Sequence, residues 1–94
     1  LDIATTNTVS VSSSTIHSNG FTGDNSGLIL NTGGFNATLT GVNILGNAKH
    51  GILATMGAGT LTLKGSNFYG NNADNPYDTD ANINMVSGTL VIIP

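Results

Sequence analysis

The chain contains no cysteine, arginine, glutamate, glutamine or tryptophan. Without cysteine there is no disulfide framework, no thiolate zinc site and no cysteine nucleophile. Charge is scarce as well: 7% of the residues are charged, against about 25% in an ordinary soluble domain. The cations are Lys49 and Lys64, the anions are all aspartates, and the net charge is -3. Two lysines neutralise few phosphates, which argues against nucleic acid as a partner. No apolar run approaches the roughly 18 residues of a membrane-spanning helix, so no membrane span is expected. No basic segment precedes an apolar stretch, so no signal peptide is expected either, and a chain opening at Leu1 reads as a mature product or as a fragment.

What is present is repetitive. Gly, Asn, Thr and Ser together make half of the 94 residues, yet the 38% that are hydrophobic fall at regular positions, unlike those of a disordered chain. Residues 8–20 (TVSVSSSTIHSNG), 36–48 (NATLTGVNILGNA) and 60–72 (TLTLKGSNFYGNN) align without gaps, and 89–94 (TLVIIP) matches their first six positions. One column holds Val9, Ala37, Leu61 and Leu90; the next but one holds Val11, Leu39, Leu63 and Ile92. Ser10, Thr38, Thr62 and Val91 lie between them. Alternation with period two is the mark of a strand with one buried face. Further along come Ile16, Ile44 and Phe68, then Asn19, Asn47 and Asn71. An inward apolar stack followed by aligned amides suits a corner, where amides in register bond along the stack.

A second strand is expected in each repeat at 27–32 (GLILNT), 51–56 (GILATM) and 82–86 (NINMV), and 1–5 (LDIAT) reads as the same strand of a preceding repeat. Gly33 with Gly34, the run 57–59 and Ser87 with Gly88 read as bends that end one strand before the next begins, because glycine adopts the positive φ that bends need. No segment carries a helical stripe with caps. Repetition at this period signals a solenoid: an all-β chain of parallel strands stacked coil on coil, one domain over 1–94 with repeats beginning near 8, 36, 60 and 89.

The segments TLTLKGSNFYGNN and TVSVSSSTIHSNG resemble the repeat unit of secreted bacterial right-handed parallel β-helix proteins, within the pectate-lyase-like superfamily and of the adhesin and surface-protein type. The resemblance implies a right-handed parallel β-helix (β-solenoid) of about three full coils of 24–29 residues with half-coils at both ends. It also implies an extracellular or cell-surface location.

A single coil does not hold itself together, because its inward side chains offset only part of the cost of ordering it. The chain starts with inward Leu1 and Ile3 of one half-coil and finishes with inward Leu90 and Ile92 of the complementary half. Stacking the first onto the second would complete a coil between two molecules, a non-closing contact that builds a filament. These four residues are the expected subunit-stacking positions. The expected function is structural, a subunit stacking head to tail into a filament or a part of a surface adhesin, with no enzymatic activity and no obligatory cofactor; the same unfinished ends equally fit an excerpt of a longer solenoid.

Other candidates lie in the insertions after the Asn column. Asp74, Asp78 and Asp80 offer hard oxygens for calcium, though not in EF-hand spacing. Phe21, Asp24, His50 and Tyr77 form the expected loop face, where glycans are a further possible partner; a glycan-binding or polysaccharide-active β-helix segment, as in phage tailspikes, is the alternative function. Catalysis is not expected. The resemblance implies Arg or Lys bases with calcium-binding acids in the lyases, and there is no Arg, while Lys49 and Lys64 fall on different strips. Glycosidases use close carboxylate pairs, and Asp78 with Asp80 stand in a loop without supporting motifs.

Overall fold

A computed structural model describes residues 1–19, 26–71 and 82–94. Their strands are β1 (Asp2–Ala4), β2 (Val9–Ser12), β3 (Thr15–His17), β4 (Leu28–Asn31), β5 (Ala37–Thr40), β6 (Asn43–Leu45), β7 (Ile52–Lys64), β8 (Asn67–Tyr69) and β9 (Ile83–Ile93). Every pairing among them is parallel. Six strands form one curved sheet, a half-barrel in which β7 is the hub. Its first half pairs with β4 and its second half with β5, while β9 runs along its other edge. Beyond them, β1 pairs with β4 and β2 with β5. The other sheet has three strands in the order β3-β6-β8.

The registers follow the apolar columns. Val9 pairs with Ala37, Ala37 with Leu61 and Leu61 with Leu90. Val11, Leu39, Leu63 and Ile92 form the matching row two residues on. A slip of one residue would turn each of these rows outward, so burial of one face sets the register. The inward residues make one core, with Leu28, Leu30, Leu39, Ile44, Ile52, Met56 and Leu61 fully buried.

This topology overturns the right-handed parallel β-helix of about three full coils with terminal half-coils. The described residues form a small parallel-sheet domain, and no solenoid of three coils is present among them. Two misreadings account for the difference. The glycines at 57–59, expected to break the chain into two strands, lie inside the single 13-residue strand β7, and Ser87 with Gly88 lie inside β9. Gly57 and Gly88 turn the backbone through positive φ (57° and 110°), and Gly59 passes so close to Phe35 that a Cβ would stand 2.2 Å from its carbonyl oxygen. The chain therefore bends without leaving the sheet, and two faces expected to be separate fuse into one half-barrel. The Ser87 hydroxyl supports the bend by accepting the N–H groups of Met56 and Gly57, at 3.1 and 2.9 Å. Second, Ile16, Ile44 and Phe68 sit not in a corner but on β3, β6 and β8, which pair as a sheet of their own. Gly33 and Gly34 do make the expected turn, both at positive φ.

Candidate functional site

The amide column is a hydrogen-bonded ladder. Asn19 Nδ2 donates to Asn47 Oδ1 at 2.8 Å, and Asn47 Nδ2 donates to Asn71 Oδ1 at 2.8 Å. Asn71 Nδ2 then donates to Asn82 Oδ1 at 3.2 Å. The main chain sets the direction. The backbone N–H of Asn19 gives to Asn47 Oδ1 and that of Asn47 gives to Asn71 Oδ1, while Asn47 Nδ2 and Asn71 Nδ2 also reach the carbonyls of Ile16 and Ile44. Each oxygen must therefore face one way and each NH2 the other. Asn47 and Asn71 are buried, and the ladder supplies the partners that burial requires.

Asn82 was not foreseen as a member. It occupies the register row of Gly27 and Gly51, one residue before the paired Leu28, Ile52 and Ile83. A Cβ on Gly27 would stand 2.5 Å from Asn47 Nδ2, and one on Gly51 would stand 2.9 Å from Asn71 Nδ2. Glycine is required where a ladder amide lies overhead. The third residue of that row carries a side chain instead, and its amide closes the ladder. The change from Gly, Gly to Asn down one row was the available signal.

The expected stacking residues lie on opposite edges of the half-barrel. Leu1 and Ile3 belong to the β1 side, and Leu90 and Ile92 lie on β9. Among the described residues β1, β2 and β3 each have one strand neighbour, as do β8 and β9. Ile3, Val9, Val11 and Ile16 at one side, and Phe68, Ile83, Met85 and Leu90 at the other, pack on the core but are only partly buried. Leu1 is 57% exposed and Ile92 66%. Among the described residues the interior is therefore covered along its middle and open at both ends. At each open edge, alternate backbone N–H and C=O groups face away from the sheet.

Of the expected loop face, only His50 lies among the described residues. It is buried, not on the surface, and its Nε2 lies 3.4 Å from Asn84 Nδ2. Ser26, Lys49, His50, Leu53 and Asn84 line a cleft of about 310 Å³ on the half-barrel. Ser26 Oγ is buried there and has no hydrogen-bond partner among the described residues. Phe21, Asp24 and Tyr77, and the calcium candidates Asp74, Asp78 and Asp80, lie outside the described residues. Among those described, no three His, Cys, Asp or Glu side chains gather as a metal-binding group, and no helix is long and apolar enough to cross a membrane.

Comparison with known proteins adds no family: no family model, no curated protein and no solved structure matches this chain.

Proposed function

We propose that this chain is a non-enzymatic structural protein of the extracellular or cell-surface kind, a parallel-sheet subunit that associates head to tail into a filament or forms part of a surface adhesin. The observation that carries the reading is the core left open at two opposite edges, with Leu1 and Ile3 at one and Leu90 and Ile92 at the other. Isolated exposed apolar residues need no explanation. Here they continue the buried rows, and they coincide with strands that have one neighbour among the described residues. Parallel sheets are ordinarily covered on their faces and paired along their lengths. Joining unlike edges leaves a free edge of each kind at the ends of the assembly, so the contact does not close and growth continues.

The test is Ile92→Asp, with light scattering and negative-stain microscopy reading association and circular dichroism reading the fold. Ile92 is exposed within one chain, so its folded state should change little. The joint should lose about 1.5–3 kcal/mol of apolar burial, roughly ten- to a hundredfold in affinity. A wild-type chain that stays monomeric at high concentration would sink the proposal.

A further inference from the structure

The rows that cross the half-barrel end differently at its two edges, and their ends match. One inward row runs Ile3, Leu30, Ala54, Met85; two others run Val9, Ala37, Leu61, Leu90 and Val11, Leu39, Leu63, Ile92. All begin and end on apolar residues that are less covered than those between them. β9 is one continuous strand that presents both halves of the free edge, whereas the other edge presents β1 and β2 in chain order.

The outer face adds a polar match. Asp2 stands in the row of Ile29, Leu53 and Asn84, and it is the one acidic side chain among the described residues. Leu53 and Asn84, the last two of that row, line the cleft that also holds Lys49 and His50. Continuing the row by one strand brings an Asp2 carboxylate beside the Asn84 amide, a hydrogen-bond donor, at the mouth of the cleft.

Resting on the self-association reading, we propose that the joint has a defined register: β1 and β2 of a second copy dock on the free side of β9. Asp2 of the second copy lies opposite Asn84, Ile3 of the second copy opposite Met85, Val9 opposite Leu90, Ser10 opposite Val91 and Val11 opposite Ile92. The occupant is another copy of this chain because its own free edge carries the apolar spacing and the carboxylate that this edge takes. Asn82 already fills the position above Asn71, so an incoming amide finds no place on the ladder.

The absence of cysteine makes the register directly measurable. One preparation carries Val91→Cys; a second carries Ser10→Cys, or Ser12→Cys as an out-of-register control on the same face. Each pair is mixed and oxidised, and disulfide-linked dimers are counted. Neighbouring strands lie about 4.8 Å apart, within disulfide reach, whereas two residues' displacement along the strand puts the Cα atoms about 8 Å apart, beyond it. The expected result is a cross-link from Ser10→Cys at least about tenfold more abundant than from Ser12→Cys. Asp2→Lys should weaken association by about tenfold. Association with equal or reversed cross-linking overturns the register and leaves self-association standing. Association untouched by Asp2→Lys overturns the role of Asp2 in the joint. A chain that remains monomeric throughout overturns both.

Discussion

Ile16 and Ile44 are the same residue at paired positions of neighbouring strands in the three-stranded sheet, yet Ile44 is completely buried and Ile16 only partly. The difference lies in neighbours: β6 has a strand on each side, and β3 has one. The turns show the same contrast. The bend after each long strand position is Ser13, Gly41 and Gly65, all left-handed, with φ of 47°, 60° and 57°. The next bend is Ser18, Gly46 and Gly70, with φ of 56°, 63° and 62°. Gly41, Gly65 and Gly46 follow strands with a neighbour on each side, and Gly70 follows the edge strand β8; only at the β2–β3 edge does the bend carry a side chain, in a conformation that costs roughly 1–2 kcal/mol. In both comparisons the middle of the molecule meets its packing and backbone requirements more fully than the edge formed by β2 and β3.

The comparison can be broken by paired substitutions. The largest effect is expected at Ile44→Ala, which should cost about 2–5 kcal/mol, whereas Ile16→Ala should cost less than half as much. Denaturant melts of both variants check this, and equal losses would mean that the edge is as well packed as the middle. Next comes the ladder. Asn47→Ala removes a buried amide with bonds on both sides, leaving Asn71 Oδ1 and the Ile16 carbonyl short of a donor, and should cost about 2–3 kcal/mol. Asn19→Ala removes an end rung and should cost about 1 kcal/mol. Amide exchange at the backbone N–H of Asn47 should speed up if the ladder opens as a unit. The smallest effect has the opposite sign. Ser13→Gly relieves the left-handed strain and should stabilise the fold by about 0.5–1 kcal/mol, raising the melting temperature. Any fall on that substitution would contradict the strain argument.

The rows were legible because period-two alternation and β-sheet register are the same fact seen twice: Leu39 opposes Leu63 since both must face the core. The Asn ladder was legible for a similar reason, as aligned amides at one spacing can bond only along a stack. The continuity of β7 was not legible. A Gly-rich stretch signals a bend, and whether a bend ends the strand depends on what runs alongside it; here β9 pairs with β7 on both sides of the curve, the register shifting at the bend itself, where Ser87 accepts from Met56 and Gly57. His50 is buried rather than on an open loop face, beside Asn84, 34 residues away, a neighbour that local pattern does not show.

Local pattern by itself determined the alternating inward positions, the parallel register of the rows Val9–Ala37–Leu61–Leu90 and Val11–Leu39–Leu63–Ile92, and the amide column. Each of these follows from side-chain spacing along one segment. Tertiary structure alone decided that two expected faces are a single half-barrel, that Asn82 closes the ladder, and that the inward rows lie open at both edges. Those features depend on which segments are neighbours in space, and burial, bending and edge exposure are properties of neighbours.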